Sequence, residues 1–300
     1  MTSEFYAQLF ARVRGEVLCT EPMVRHTALR VGGPADFFVT PADLDDLREL
    51  VAFLDEVGSP YLVIGNGYNL LVRDGGFRGV VISLARLKTL ELVAGGRIRA
   101  GAGVPTQLLV RFAREQGLAG IEFLCGIPGS IGGAVAMNAG AHGWAILDRV
   151  DEVTTLRGGL VAAISRERLR YGYRNLELAA GEIVVAATFL LEEDDPGEIG
   201  QRIATYQEHR EQTQKVGFPS AGSFFKNPGS TPAWRLIDEA GFRGARVGGA
   251  QVSEVHANFL VNRGGATAAD FLELAARIKD GVRQKTGTTL EEEVRVVGDE

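Results

Sequence analysis

Three glycine-rich loops are the segments of this 300-residue sequence best suited to binding a phosphate-bearing ligand. They lie at residues 65–71, 101–103 and 126–134, and each follows an apolar segment typical of a β-strand. Glycine frees backbone N–H groups and removes the Cβ atom, so a pyrophosphate can approach the main chain closely. A tight turn explains any single loop more simply. Taken together, the three loops predict a dinucleotide that lies across several of them.

A serine in a short polar segment is the first candidate for chemistry on a substrate. Ser223 is followed by Phe224 and Phe225, which would anchor the segment in the core while Lys226 and Asn227 stay polar. A hydroxyl held in this way suits a rigid contact to a reacting group. Taken alone, a serine in a Gly/Pro loop is the simpler interpretation.

Two further charged segments complete the set of candidates. Arg174 stands between Tyr173 and Asn175, where a surface arginine on a loop is the alternative. Three consecutive glutamates precede a strand, and strand alternation would place Glu291 and Glu293 on one face. From the residues alone, the serine, arginine and glutamate sites remain unconnected.

The common sequence fingerprints of nucleotide enzymes, hydrolases and zinc sites are absent. The loop at residues 65–67 lacks the third glycine of G-x-G-x-x-G, and no G-x-x-x-x-G-K-[ST] sequence occurs. Neither Ser130 nor Ser223 has both glycines of G-x-S-x-G. Four isolated histidines and two distant cysteines lack the spacing of zinc ligands, so no metal site is predicted.

The composition indicates a globular protein with an unusual glycine content. Hydrophobic residues make up 45%, and the net charge of −6 argues against a nucleic-acid partner. Glycine is 39 of 300 residues, nearly twice the usual ~7%. The longest apolar run, residues 183–191, is far short of the ~20 residues needed to span a bilayer. With an acidic N-terminus and no disulfide framework, the expected location is the cytoplasm and no membrane insertion is expected.

Hydrophobic periodicity predicts helices that alternate with short strands. The second predicted helix has Pro41 at its first position and ends before Gly58, and a long helix ends near Gln214. The other predicted helices cover residues 3–14, 106–116, 232–240 and 268–285. The predicted strands cover residues 61–64, 80–83, 90–93, 97–100, 150–155, 160–164, 182–191, 258–261 and 294–297. Since several strands follow one another directly, the expected fold class is α+β rather than a doubly wound parallel sheet.

A charged break at residues 192–197 marks the best domain boundary. The predicted organisation is a lead-in over residues 1–26, a ligand-binding domain over 27–193 and a C-terminal domain over 194–300.

Several of these segments together resemble the UDP-N-acetylenolpyruvoylglucosamine reductase family, also called UDP-N-acetylmuramate dehydrogenases. The resemblance covers residues from about 20 to 298 and is carried by segments in the family order: residues 65–72, 126–134, 171–175, 221–228, 256–262 and 290–295. The short stretch between Arg174 and Ser223 resembles the compact second type of the family. Tyr68 stands where the family pattern has serine, and Lys215 where it often has proline.

The resemblance implies an FAD-binding domain of the vanillyl-alcohol-oxidase/para-cresol-methylhydroxylase type, with two α+β subdomains, and a smaller α+β substrate-binding domain. FAD would be held non-covalently, and NADPH would be the reductant. The enzyme would reduce the enolpyruvyl ether of UDP-N-acetylglucosamine to UDP-N-acetylmuramate, a precursor of peptidoglycan, as a monomer or weak homo-oligomer.

The resemblance also implies roles for individual residues. Arg174 and Glu293 would stabilise charge beside the substrate carboxylate, with Glu293 as a neutral acid or orienting Arg174, and Ser223 would protonate the enolate. The implied cofactor-binding residues are Gly65, Asn66, Gly67, Tyr68, Asn69, Leu70, Gly101, Gly103, Gly126, Pro128, Gly129, Ser130, Gly132, Gly133 and Ala134. The implied substrate-binding residues are Tyr173, Arg210, Lys226, Asn227, His256 and Arg295.

Two other functions remain open at this point. The glycine loops would also suit an FAD-linked oxidase of a small alcohol or hydroxy acid. A nucleotide-binding module with a sensory role would need no catalytic Ser223.

Overall fold

The computed structural model describes residues 3–300, which form two compact units assembled from separate stretches of chain. The first unit contains the N-terminal stretch up to Cys19, residues 37–66 and residues 79–209. The second contains residues 20–36, 67–78 and 210–300. The predicted division into residues 1–26, 27–193 and 194–300 separates the chain by expected ligand and not by compact units. It stays a prediction.

Seven α-helices occur among the described residues, and most lie where the apolar periodicity predicts them. They are α1 (Ser3–Arg12), α2 (Leu44–Glu56), α3 (Thr106–Glu115), α4 (Ile131–Ala136), α5 (Pro196–Gln214), α6 (Ala233–Glu239) and α7 (Ala268–Thr286). Helix α7 shows the local signals well. Thr267 caps its start in a reciprocal pair with Asp270, and Gly287 ends it with φ of +73°.

The strands are short. Those of the first half of the chain are β1 (Glu16–Pro22), β2 (Pro34–Thr40), β3 (Tyr61–Ile64), β4 (Leu70–Val72), β5 (Phe77–Ser83), β6 (Leu90–Val93), β7 (Arg97–Gly101), β8 (Leu118–Ala119), β9 (Gly140–Ala141) and β10 (Trp144–Ala145). Those of the second half are β11 (Val150–Arg157), β12 (Leu160–Ser165), β13 (Tyr171–Gly172), β14 (Asn175–Leu176), β15 (Ile183–Leu190), β16 (Glu192–Glu193), β17 (Ser220–Ser223), β18 (Arg246–Val247), β19 (Ala250–Val252), β20 (Phe259–Asn262) and β21 (Arg295–Val297). Strands β1 and β2 are absent from the prediction. Strand β1 shows no clear apolar alternation, whereas in β2 the alternating, fully buried Ala35, Phe37 and Val39 were a strand signal that the prediction missed.

The first unit contains two α+β layers, each with its own core. An antiparallel five-stranded sheet of order β12-β11-β15-β7-β6 shares a core with α3 and α4. Helix α2 packs with β3 and β5, which pair in parallel within a sheet of order β1-β2-β5-β3. The predicted pair of α+β subdomains is confirmed in this unit.

The second unit is built on a smaller antiparallel sheet of order β17-β20-β19-β18. Its core joins this sheet to α6 and α7, and the rings of Phe224 and Phe225 are almost fully buried in it. The predicted anchoring of the Ser223 segment by these two rings is therefore confirmed. Strand β21 pairs in parallel with β4, so the end of the chain returns to the residues that follow the first glycine loop.

The predicted start of α2 at Pro41 is wrong. The helix begins at Leu44, after Asp43, whose carboxylate accepts a hydrogen bond from the backbone N–H of Asp46 at 2.9 Å. The buried carboxylate of Asp46 in turn accepts the N–H of Ala42 at 2.7 Å. These two side-chain caps hold the preceding residues outside the helix, which overrides the preference of proline for the first helical position.

Candidate active site

The glycine loop after β3 faces the loop before α4 in the first unit. A Cβ atom added to Gly65 would lie 2.2 Å from Oγ of Ser130, so only glycine fits there without displacing the hydroxyl. Ser130 is 1% exposed, and within residues 3–300 its hydroxyl has no hydrogen-bond partner. A buried hydroxyl costs free energy when it is unpaired, so it marks a place where a ligand atom would complete the hydrogen bonding.

Backbone hydrogen bonds join the other two glycine loops of this unit. The N–H groups of Ile131 and Gly132 donate to the carbonyls of Val104 and Ala102, each at 2.9 Å. A Cβ atom on Gly132 would lie 2.7 Å from Cβ of Ala102. The expected loop over residues 126–134 is wrong from Ile131 onward, because α4 begins there, and the first turn of α4 is held against residues 102–104.

Packing against the protein's own backbone explains two of the predicted cofactor glycines. Added Cβ atoms on Gly101 and Gly103 would lie 2.4 Å and 2.2 Å from the carbonyl oxygens of Leu87 and Leu84. Glycine is therefore required at both positions whether or not a ligand binds, and their contact with a cofactor stays a prediction. In the neighbouring loop, Gly129 has φ of +125°. The other predicted members, Gly126, Pro128, Gly133 and Ala134, lie in the same segment.

The remaining predicted cofactor residues stand where the first loop enters β4. Asn66 is exposed in the first unit, whereas residues 67–70 belong to the second. Gly67 has φ of +66°, and a Cβ atom there would lie 1.7 Å from the carbonyl oxygen of His26. Tyr68 is 43% exposed. Asn69 has φ of +57°, and Leu70 begins β4.

Ser223 ends β17, opposite Phe259 of β20. Its side chain is half-buried, and among the described residues nothing hydrogen-bonds to its hydroxyl. The carbonyl oxygen of Phe224, the next residue, accepts a hydrogen bond from the N–H of Glu293 at 2.8 Å. The second unit therefore brings Ser223 and Glu293, two of the three predicted catalytic residues, to neighbouring chain segments.

The three glutamates lie beside the Ser223 segment and not in the final strand. The N–H of Lys226 donates to the carbonyl of Glu291 at 2.9 Å, and Glu292 pairs with Phe225 as an isolated antiparallel bridge. The side chain of Glu292 accepts from Nζ of Lys279 at 2.9 Å. Strand β21 begins only at Arg295, so the expected strand alternation through the glutamates is wrong.

Asn69 connects the predicted cofactor loop with the predicted catalytic segment. Its Nδ2 atom donates to the carbonyl oxygen of Glu293 at 2.9 Å, and its own carbonyl accepts the N–H of Arg295 at 3.1 Å. These contacts lie within the second unit. They fix the backbone of Glu293 relative to the start of β4.

Arg174 lies in the first unit, in the two-residue turn between β13 and β14. Its φ is +55°, which a non-glycine residue adopts only under constraint. Nη2 donates to the carbonyl oxygen of Gly140 at 3.0 Å, and the guanidinium lies 5.3 Å from the ring centroid of Tyr173. Tyr173 is 55% exposed.

The predicted substrate-binding residues differ in how strongly the protein itself holds them. Nζ of Lys226 lies 3.4 Å from the exposed carboxylate of Glu291. Oδ1 of Asn227 accepts the N–H of Ala233 at 2.9 Å at the start of α6. Arg210 lies on α5, and Arg295 begins β21 with an exposed side chain.

The protonation of His256 is strongly perturbed. Burial, together with the guanidiniums of Arg243 and Arg210, lowers the pKa of His256 to about 4, so the ring is neutral near pH 7. The ring packs 4.5 Å from Phe259, the residue opposite Ser223, and its Nδ1 is buried without a hydrogen-bond partner among the described residues.

Asn138 was missed by the sequence analysis. It is a buried residue with φ of +43°, and its side chain contacts the strand that precedes Arg174. The available signal was an asparagine soon after a glycine-rich helix, since asparagine tolerates positive φ.

The described residues contain neither a metal-binding cluster nor a membrane-spanning helix. Residues 3–300 contain no group of three or more His, Cys, Asp or Glu side chains arranged to hold a metal ion. Among the same residues, no helix is long and apolar enough to cross a bilayer.

The fold and the glycine-loop site define a flavin-binding protein. The family model described as an FAD binding domain matches residues 35–159, which include the loops at Gly65, Gly101 and Ser130. The buried unpaired hydroxyl of Ser130 and the glycine that faces it fit a phosphate-bearing cofactor. An alkyldihydroxyacetonephosphate synthase shows a likeness in fold, with a TM-score of 0.50 and 16% identity over 64% of this chain and 41% of that one.

Comparison of the whole chain is more specific. The model of the C-terminal domain of UDP-N-acetylenolpyruvoylglucosamine reductase matches residues 212–297. Proteins of that name from Geobacter metallireducens and Geotalea uraniireducens are 66% and 61% identical, over 100% and 99% of both chains respectively. The crystal structure of the reductase from Thermus caldophilus has a TM-score of 0.81 and 39% identity over 94% of this chain and 98% of that one. The chain belongs to the UDP-N-acetylenolpyruvoylglucosamine reductase family, and the expected FAD-binding and C-terminal domains are confirmed.

Proposed function

We propose that this chain reduces the enolpyruvyl ether of UDP-N-acetylglucosamine to UDP-N-acetylmuramate with electrons from NADPH. Family membership over the full length supports this function and favours it over a small-alcohol oxidase or a sensory module. When bound, FAD takes electrons from NADPH and supplies a hydride to the substrate. The protein's residues bind the two ligands and control charge and protons at the substrate.

The substrate determines what the site must do. Its double bond carries a carboxylate and is therefore a poor hydride acceptor, because the hydride adds charge to a group that is already anionic. Addition at the terminal vinyl carbon moves an electron pair onto the second carbon and its carboxylate, which gives an enolate. A cationic donor held beside that carboxylate lowers the barrier. Arg174 is the residue that we assign to this role.

Ser223 is assigned as the proton donor to the second carbon. The observation that carries this assignment is the pairing of residues 224–226 with residues 291–293, which holds the serine beside Glu293 while its hydroxyl remains without a partner in the described chain. The O–H bond breaks as the new C–H bond forms, and the serine recovers its proton from water.

Glu293 is assigned a supporting role at the enolate. An ionised carboxylate would repel the developing charge, so Glu293 acts as a neutral hydrogen-bond donor or as the group that orients Arg174. The Asn69 amide that binds its carbonyl fixes its backbone in either case.

The UDP moiety is assigned to residues of the C-terminal part of the chain. Arg210 and Lys226 would bind the diphosphate, because charge-assisted hydrogen bonds to phosphate are strong. The contact of Lys226 with Glu291 is exposed and therefore weak, so it presents little barrier to a phosphate ligand. Tyr173, Asn227, His256 and Arg295 would contact the sugar nucleotide or the enolpyruvyl group.

We place the enzyme in the cytoplasm, where NADPH and nucleotide sugars are available. We also propose that it functions as a monomer or a weak homo-oligomer.

The test is to separate the two half-reactions in stopped-flow experiments with the Ser223→Ala variant. Reduction of the bound flavin by NADPH should be unchanged, because that half needs no proton on carbon. Reoxidation by the enolpyruvyl substrate should slow by about 10²–10⁴-fold, the usual range for a positioned acid. Ser220→Ala is the matched control, since the hydroxyl of Ser220 accepts a local N–H at 3.2 Å in the same strand.

Two outcomes would contradict the proposal. If Ser223→Ala slows both half-reactions equally, Ser223 supports the fold or the flavin and is not the acid. If the purified full-length protein is colourless and binds no FAD on reconstitution, the flavoenzyme function itself fails.

A further inference from the structure

We propose that Asn138 is a positioning residue that holds Arg174 in its working geometry, an inference that rests on the role proposed above for Arg174. Asn138 lies just after α4 in the first unit and is 4% exposed. Its φ of +43° falls in the left-handed region, which asparagine tolerates better than most other residues.

The amide of Asn138 fixes the backbone of the hairpin that carries Arg174. Its Nδ2 donates to the carbonyl oxygen of Gly172 at 2.8 Å, and its Oδ1 accepts the N–H of Leu147 at 3.2 Å. Gly172 pairs with Asn175 across the turn, so its carbonyl lies at the base of the two-residue loop. One buried side chain therefore ties this hairpin to the segment that follows β10.

The same chain segment also holds the guanidinium. Gly140, two residues after Asn138, accepts the hydrogen bond from Nη2 of Arg174 at 3.0 Å. An added Cβ on Gly140 would lie 2.4 Å from the carbonyl oxygen of Trp144 and 3.3 Å from Nη1 of Arg174. The glycine thus lets the β9–β10 hairpin close tightly and lets the arginine lie against it.

Helix α5 supports the β9–β10 hairpin on another side. His142, at the turn of the hairpin with φ of +55°, stacks on Tyr206 with ring centroids 4.3 Å apart. The segment from Asn138 to His142 is therefore anchored independently of Arg174 and can serve as its support.

The conformation of Arg174 makes such a support necessary. A non-glycine residue with φ of +55° is strained, and such a conformation persists only when surrounding contacts determine it. A shift of the turn by about 1 Å would misplace the guanidinium enough to slow the reaction strongly. Two hydrogen bonds oppose this shift: the one from the side-chain amide of Asn138 to the carbonyl of Gly172, and the one from Arg174 to the carbonyl of Gly140.

The test is the Asn138→Asp variant of the full-length, FAD-loaded protein. Aspartate keeps the size, the tolerance of positive φ and the acceptor for Leu147, but its ionised form cannot donate to Gly172. Reoxidation of the reduced flavin by the enolpyruvyl substrate should slow by about ten- to a hundredfold, in line with loss of one buried hydrogen bond. Reduction of the flavin by NADPH should be unchanged.

A pH profile distinguishes positioning from a general loss of structure. The protonated form of the introduced carboxyl group regains an O–H donor, so the deficit of Asn138→Asp relative to the wild type should shrink as the pH is lowered. Asn138→Gly, which accepts the same φ without any side-chain bond, should show a deficit without this recovery. If Asn138→Asp does not fold, Asn138→Gly serves as the test. It should slow reoxidation of the flavin by the enolpyruvyl substrate and leave reduction by NADPH unchanged.

Asn262 provides a matched control. It is also a buried asparagine, whose Nδ2 donates to the carbonyl of Leu29 at 3.0 Å and whose Oδ1 accepts the N–H of Gly264 at 2.9 Å in the second unit. Asn262→Asp should lower the melting temperature. It should not slow the enolpyruvyl half-reaction selectively, and it should show no recovery of that rate at low pH.

The outcomes separate this inference from the proposed function. If Arg174→Ala leaves the enolpyruvyl half-reaction intact, the role proposed for Arg174 is wrong. If Arg174→Ala slows it whereas neither Asn138 variant does, only the positioning by Asn138 is wrong. Equal slowing of both half-reactions by the Asn138 variants would also overturn the inference.

Discussion

Replacing Gly65 with alanine tests how the buried hydroxyl of Ser130 contributes to cofactor binding. The new Cβ would lie 2.2 Å from Oγ of Ser130 but 3.5 Å from its Cβ, so rotation of the hydroxyl relieves the clash without moving the backbone. Such a change should lower the stability of the apoprotein by only about 1 kcal/mol. The rotated hydroxyl, however, would no longer be available to the ligand.

The expected effect on FAD affinity is larger than the effect on stability. A hydrogen bond from a hydroxyl to a charged group contributes about 1.5–3 kcal/mol, which corresponds to a roughly ten- to hundredfold rise in the Kd for FAD. The assay is titration of the apoprotein with FAD, followed by fluorescence, together with thermal unfolding of the apoprotein.

A double-mutant cycle gives the result that would refute this reasoning. In a Ser130→Ala background, Gly65→Ala should cost little further affinity, because the hydroxyl that it displaces is already gone. If Gly65→Ala weakens FAD binding equally in both backgrounds, the methyl group acts on the cofactor directly and the role assigned to Ser130 is wrong.

Two further predictions concern the second unit. The pKa of His256 is about 4 in the folded chain and 6.5 in the unfolded chain, so the unfolded state binds a proton first as the pH falls. The free energy of unfolding should therefore decrease from pH 6.5 towards pH 4, by at most about 3 kcal/mol and by less because the ring is partly exposed. In denaturant titrations across this range, the free energy of unfolding of His256→Gln should fall less steeply with decreasing pH than that of the wild type. An equally steep fall in both proteins would contradict the assigned pKa. Asn227→Ala removes the acceptor for the N–H of Ala233 and should destabilise the protein by about 1 kcal/mol, whereas Asn227→Asp should retain most of the stability. Equal losses in urea denaturation of these two variants would show that the contact does not stabilise α6.

Local sequence signals predicted the long elements and failed where distant residues decide the structure. The apolar stripe and the caps of α7 are encoded within the helix, so its position could be read directly. The start of α2 depends on the carboxylate of Asp46, which also accepts the backbone N–H groups of Arg14 and Gly15, more than thirty positions away. No periodicity in the helix itself reports such contacts.

The candidate site shows the same limit. Residue types and family resemblance pointed to Ser223, Arg174 and Glu293, but the contacts that fix them could not be read from the sequence. The hydrogen bond from Asn138 to Gly172 joins residues 34 positions apart. The glutamates resembled the start of a strand, yet they pair with the Ser223 segment before β21 begins.

The pairing of β21 with β4 has a consequence for biosynthesis. The amide of Asn69 and its acceptor at Glu293 are 224 positions apart, so at about 5–20 residues per second they are made on the order of 10–45 seconds apart. During that interval the apolar residues Leu70–Val72 leave the ribosome without the strand that later covers their edge. In a nascent chain of this protein the edge of β4 therefore stays unpaired for most of translation, and an unpaired apolar strand edge favours aggregation until β21 has been made.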